Sequence, residues 1–145
     1  MISCTRRLEW DAAHRIPRHE SRCKAWHGHR YAAEITCQAP ELDALGRVID
    51  FGVVKSLVGA WIDENWDHTA ILQKGDPDPA VAALVASNEA SGRPVYWLDA
   101  PPTAENIVAE LAKVSRTLLA DSGVTVIRIR LWETPNCSAE WVAER

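Results

Sequence analysis

The hydrophobic period changes twice along this 145-residue chain, and that change constrains the fold more than any other feature. Near the N-terminus, Leu8, Trp10 and Ala12 alternate with Glu9, Asp11 and Ala13. Tyr31, Ala33, Ile35 and Cys37 then alternate with polar neighbours. Near the C-terminus, Ile127, Ile129 and Leu131 alternate with Arg128 and Arg130. A repeat of two belongs to strands with one buried face. Between these segments the repeat lengthens. Val54, Leu57, Val58, Trp61 and Ile62 form one helical stripe, and Ile107, Val108, Leu111, Val114 and Leu118 form another.

These periods predict strands over residues 4–16 and 27–39, separated by a polar loop at 17–26. A turn at 40–47 carries Gly46, and Asp50 is the expected cap of a first helix that fades near Asn65 to His68. In the excursion over 74–94, Asp76-Pro77-Asp78-Pro79 is a turn and Ala80 to Ala90 is a short helix or another ordered segment. Val95 to Leu98 is a short strand. Thr103 caps the second long helix, which Gly123 ends. Strands at Val124–Trp132 and Ser138–Ala143 close the chain around a Pro135-Asn136 turn. Hairpins at both ends with two long helices between them define an α+β fold, the helices sharing one face of the sheet. The opposite face, with Arg128 and Arg130, is a candidate surface for another subunit.

Residues 1–145 are expected to form a single domain, since the length suits one core and not two. No apolar run reaches the roughly 20 residues needed to span a bilayer, and the charged N-terminus has no secretory pattern. A cytoplasmic protein with four reduced cysteines is therefore expected, and Cys4, Cys37 and Cys137 read as ordinary small apolar residues. The net charge of −4 argues against nucleic-acid binding. That figure is unevenly spread. Residues 15–30 carry +4, leaving −8 for the rest. A basic stretch of this kind is either a solvated loop or the mouth of a site for an anionic small molecule. It holds four of the five histidines, counting His14 at its edge, which favours the second reading.

His27-Gly28-His29 is the strongest local motif. Residues i and i+2 of a strand point the same way, about 6.5–7 Å apart, so two imidazoles can converge on one ion. Gly28 permits close backbone approach. His14, at the end of the preceding strand, supplies a third ligand. Three neutral imidazoles with an open fourth position is the pattern of catalytic zinc. Cys23 lies four residues before His27 in the basic loop, where a nearby dication favours its thiolate as base or nucleophile. Asp67 beside His68 either orients that ring for proton transfer or simply ends a helix that favours a charged histidine. Glu133, on the face of Ile129 and Leu131, needs a partner: a ligand with two parallel N–H donors, or a nearby arginine.

Five separated motifs occur in one register: Trp10-Asp11-Ala12-Ala13-His14-Arg15-Ile16-Pro17, Cys23-x-x-x-His27-Gly28-His29, Asp67-His68, Thr103-Ala104-Glu105-Asn106 and Glu133-Thr134-Pro135. Together they resemble the 6-pyruvoyl-tetrahydropterin synthase family. Three residues between the cysteine and His-Gly-His resemble the 6-carboxy-tetrahydropterin synthase branch of queuosine and 7-deazapurine pathways. Five resemble the biopterin branch. The resemblance implies a four-stranded antiparallel sheet with two antiparallel helices on one face (the tunnelling fold), assembled into oligomeric barrels of trimers and hexamers with sites at subunit boundaries. It implies a Zn2+-dependent lyase that converts 7,8-dihydroneopterin triphosphate to 6-carboxy-5,6,7,8-tetrahydropterin, acetaldehyde and triphosphate. The alternatives are 6-pyruvoyl-tetrahydropterin synthesis, cleavage of sepiapterin, or a pterin-binding module without turnover.

Carried over by position, His14, His27 and His29 resemble the zinc ligands, and Cys23 the catalytic thiolate. Asp67 and His68 resemble its proton-shuttling partners. Glu133 resembles the pterin anchor and Thr103 a residue contacting the same ring. The family pattern assigns no triphosphate contacts; Arg15, Arg18, Arg22 and Lys24 are candidates by charge. Trp10 and Trp26 stand where smaller apolar residues are usual, and Ala104 replaces a hydroxyl residue of some members. The segment around 72–100 has no counterpart in these motifs and is expected to cap the site or lie at a subunit interface.

Overall fold

The computed structural model describes residues 2–144. Its first hairpin is the expected one. Strand β1 (Ser3–His14) pairs antiparallel with β2 (His27–Gln38) in an unbroken register from Ser3 opposite Gln38 to His14 opposite His27. Helix α1 runs continuously through Phe51–Val54, Lys55–Gly59 and Ala60–Asn65. Asp50 caps it by accepting from the Gly52 N–H at 2.7 Å. Strand β3 is Thr69–Gln73, helix α2 is Ala80–Ala90 and strand β4 is Tyr96–Leu98. Helix α3 (Ala104–Leu118) is capped by the Thr103 hydroxyl, and Gly123, at φ 71°, turns the chain into β5 (Thr125–Thr134) and β6 (Cys137–Val142).

The sheet has six strands in the order β4-β3-β1-β2-β5-β6. The antiparallel four, β1, β2, β5 and β6, are present, but a purely four-stranded sheet with two helices is not what forms. Strands β3 and β4 extend it with parallel pairing, and α2 is a third helix. Strand β3 escapes the period-two reading because both its faces are covered, so Thr69, Ala70, Ile71 and Leu72 are all buried.

One face carries the main core. There α1 contributes Val54, Val58, Ile62 and the following Trp66, α3 contributes Ile107, Val108 and Leu111, and the strands contribute Trp10, Tyr31, Ile35, Ile129 and Leu131. Burying an aliphatic side chain such as Ile35 is worth about 1.5–3 kcal/mol. On the other face, Val81, Leu84 and Val85 of α2 pack on Ala70, Leu72, Ala13 and Trp26.

Two positions depart from the simple periods. The middle of α1 is a wide π turn, which spaces its buried residues by four and leaves Leu57 exposed. In β5 the register skips between Thr36 opposite Arg128 and Cys37 opposite Val126. Ile127 is therefore the extra residue of a bulge, and Val126 takes its place in the core. No helix among the described residues is long and apolar enough to cross a membrane.

Candidate active site

The antiparallel register decides where the histidines meet. His14 lies opposite His27 and Ala12 lies opposite His29, so all three rings leave the sheet on the same face at its end. Their ligand nitrogens lie within 4.8 Å of one another. The second nitrogens are already engaged. His14 Nδ1 donates to the Pro102 carbonyl at 2.8 Å, and His27 Nδ1 donates to the Ala25 carbonyl at 2.7 Å. A carbonyl can only accept, so each Nδ1 carries a proton, and the neutral form of the ring, the form that ligates a metal, leaves Nε2 bare. Those two bare atoms face each other at 3.0 Å. Two opposed lone pairs at that distance call for a cation between them. Two nitrogens on a tetrahedral zinc at about 2.0–2.1 Å stand roughly 3.3 Å apart, close to what is seen.

The third nitrogen agrees. His29 Nε2 is buried and has no hydrogen-bond partner. Burial depresses the His14 imidazole to about 4, helped by His27 and His29 and opposed by the Pro102 bond. Burial also lowers His29, against the opposing pull of Glu133. Neutral imidazole is the form that ligates a metal. Glu133 reaches this cluster, its Oε1 lying 3.6 Å from His29 Nε2. Among the described residues no arginine pairs with it, so the arginine expectation is not met.

Below the cluster lies a residue that the sequence reading passed over. Tyr31 follows His29 by two positions on the same face, its ring 5.5 Å from His29 and 5.9 Å from His14. Its hydroxyl is buried without a partner, and burial together with Glu133 holds it firmly protonated. The period-two pattern already pointed it toward the histidines. Beneath it, Trp10 stacks on Tyr31 and touches Trp66, so the unusual Trp10 is a core residue.

Asp67 and His68 come together elsewhere. His68 Nδ1 donates to Asp67 Oδ2 at 2.7 Å, and the Asp11 backbone N–H donates to Asp67 Oδ1 at 3.0 Å. The His68 N–H returns a bond to the Asp11 carbonyl at 2.7 Å. Burial pushes the Asp67 carboxyl up, but the Asp11 N–H and the His68 ring outweigh it and hold it below the ordinary range. His68 has a left-handed backbone, at φ 58°, and an exposed ring. Arg93 braces this turn by donating to the carbonyls of Asp63 and Asp67, a role no local pattern announced. The Asp11 side chain leaves β1 on the face opposite His14. There Asp11, Ala13, Gly28, His68, Leu84 and Asn88 line an open groove of about 500 Å3.

The remaining candidates are dispersed. Cys23 sits half-buried on the short turn Arg22–Lys24, and its sulfur joins neither the histidine cluster nor the Asp11, Asp67, His68 group. Thr103 caps α3, one residue after the carbonyl that holds His14. Arg18, Arg22 and Lys24 are exposed. Arg15 is not. It is buried, with Nη1 donating to Asp76 at 2.9 Å and Asp78 at 2.6 Å, which removes it from the candidate triphosphate contacts. Its partners lie about 60 residues on, beyond the reach of a local charge count.

An α+β sheet whose first hairpin ends in three convergent imidazoles with a carboxylate beside them defines a candidate metal-centred enzyme. The comparisons with known proteins place it further. The family model described as 6-pyruvoyl tetrahydropterin synthase matches residues 3–144, and the chain belongs to that family. A Rickettsia bellii protein named 6-carboxy-5,6,7,8-tetrahydropterin synthase is 45% identical, over 97% of this chain and 99% of its own length. A Halobacterium salinarum protein named probable 6-carboxy-5,6,7,8-tetrahydropterin synthase is 34% identical over 95% of this chain and 85% of its own. The fold is shared with WS1659 of Wolinella succinogenes, at TM-score 0.82 and 20% identity over 99% and 98% of the two chains. It is shared also with the Caenorhabditis elegans 6-pyruvoyl tetrahydropterin synthase, at TM-score 0.70 and 17% identity over 99% and 96%.

Proposed function

We propose that this chain is a zinc-dependent lyase that converts 7,8-dihydroneopterin triphosphate to 6-carboxy-5,6,7,8-tetrahydropterin, acetaldehyde and triphosphate. The observation that carries the reading is the pair of bare Nε2 atoms facing at 3.0 Å, with the buried, unpartnered His29 nitrogen beside them and Glu133 at 3.6 Å from it. It supports a cation site next to a carboxylate suited to the paired N–H edge of a pterin. The names of the relatives and the three-residue spacing between Cys23 and His27 support the 6-carboxy branch.

His14, His27 and His29 would hold the zinc. Bound there, it would polarise the substrate's side-chain oxygens and ease loss of the adjacent protons. Cys23 serves as the base for those protons. Asp67 fixes the His68 tautomer, so that Nε2 is the atom that takes up and returns protons. Glu133 accepts from the pterin 2-amino group and N3–H, and Thr103 contacts the same ring. Arg18, Arg22 and Lys24 meet the triphosphate.

The Asp67–His68 pair accompanies Asp11 on the face opposite the zinc ligands. A complete site in this reading therefore takes the pair from a second copy of the chain. That fits a cytoplasmic homo-oligomer of trimers and hexamers built from one domain of residues 1–145. Incubation of the purified protein with the triphosphate tests the reading: acetaldehyde and 6-carboxy-tetrahydropterin are expected in equal amounts. Release of 6-pyruvoyl-tetrahydropterin, or no turnover with zinc bound, would overturn it.

A further inference from the structure

We infer that Arg15 is a positioning residue, which with Asp76 and Asp78 fixes the turn that carries Cys23. The inference rests on the proposed role of Cys23, and its test separates the two. The turn is held at two successive carbonyls. That of Cys23 accepts from the Ile16 N–H at 2.8 Å, and that of Lys24 accepts from Arg15 Nε at 3.0 Å. Both donors directly follow the metal-ligand candidate His14. The Cys23 peptide is thereby tied to the strand end that sets the metal position. The same guanidinium lies 5.6 Å from the ring centre of Trp26.

What holds Arg15 is the turn before α2. The Asp76 side chain is fully buried and accepts at 2.9 Å, while that of the less buried Asp78 accepts at 2.6 Å. Asp76 also accepts from the Asp78 N–H at 2.9 Å, which sets the two carboxylates in a fixed relation. Two acidic groups on one nitrogen of a buried guanidinium, whose Nε–H donates to a carbonyl, form an arrangement that lysine cannot reproduce. Burying such a group is costly unless every partner is in place. Surface chemistry does not require this arrangement; placing a loop does. The excursion between the long helices therefore acts on the Cys23 turn through a clamp more than 50 residues away in sequence.

The experiment uses Asp78→Asn, which leaves Asp76 to balance the buried charge. Turnover, metal content and the alkylation rate of Cys23, read by peptide mass spectrometry, are measured together. The expected result is kcat lowered about 10- to 100-fold with KM within about twofold. Metal content stays unchanged, and Cys23 alkylation changes at least about threefold through altered exposure of the turn. Asp78→Glu restores both. Unchanged Cys23 alkylation in Asp78→Asn overturns the clamp, whatever happens to turnover. If Asp78→Asn fails to fold, Arg15→Lys keeps the charge, loses the Nε–H bond to the Lys24 carbonyl, and is read in the same way. The catalytic role of Cys23 stands apart: full activity in Cys23→Ala refutes that role and leaves the alkylation result to judge the clamp.

Discussion

The two clusters of chemical groups are built on opposite principles. The three histidines sit on regular antiparallel strands, with at least one ring fully buried, and their spacing follows from register. The Asp67–His68 pair sits on the turn that leads into β3, with a left-handed residue and an exposed ring. The first cluster is preset by the fold. The second is held by a few specific bonds, from Asp11 and Arg93. Rigid elements suit metal ligation, where geometry is fixed. Turns suit proton transfer, where a ring must meet a second molecule.

If this contrast holds, damage to the histidine cluster should cost stability as well as metal. His14→Ala is the largest expected effect. It removes a buried ring, its bond to the Pro102 carbonyl and one proposed ligand, so metal is expected to fall below about 0.2 per chain with a loss of about 3–5 kcal/mol. Elemental analysis and thermal melting check both. Chelation of the parent protein is expected to lower its Tm as well, because an ion bound only to the folded state stabilises it. A Tm unmoved by chelation would remove the ion from the stability argument.

Gly28→Ala probes the preset hairpin more finely. A Cβ there meets the Ala12 carbonyl oxygen at 3.0 Å, a backbone atom that cannot swing aside. The strands must spread between the two histidines, at an expected cost of about 1–3 kcal/mol and about tenfold in metal affinity. Metal titration at constant pH is the measurement.

How much of this contrast was legible in the sequence follows the same division. Strands β1, β2 and β6, both long helices and their caps at Asp50 and Thr103 show in local periods, as does the convergence of His14, His27 and His29. Strand β3 does not, because a strand covered on both faces has no alternation to read. The Ile127 bulge hides inside an apparently clean alternation, since only pairing with β2 reveals the extra residue. Arg15 read as a candidate triphosphate contact because its partners lie in a distant turn. That Asp67 and His68 lie on the far face could not be read from their place in the chain.

Asp67→Asn is expected to act less on stability than either histidine-cluster change. The fold holds this carboxyl below its ordinary value. Its stabilising contribution is therefore complete above the unfolded value near 3.9, and is lost as pH falls through the lower folded value. At pH 7 the variant should be less stable by about 1 kcal/mol, and the gap should close in acid. A gap independent of pH down to the acid transition would show that the carboxylate charge does not matter. Turnover is expected to fall about 10- to 100-fold, because the His68 ring loses its fixed tautomer.

His68→Gly is the smallest expected effect on stability and the sharpest test of the contrast. Histidine at φ 58° is strained by about 1 kcal/mol, and glycine adopts that backbone freely. Against this relief stand the greater freedom of glycine in the unfolded chain and the lost bond to Asp67. These terms nearly cancel, so the melting temperature should move little, by less than about 0.5 kcal/mol in free energy. Turnover should nonetheless fall about a hundredfold or more, with metal content intact, since the proposed proton carrier is gone. A stable variant with full metal and no activity would separate the two clusters cleanly. A variant that keeps its activity would return His68 to an ordinary turn residue and leave proton transfer to Cys23 alone.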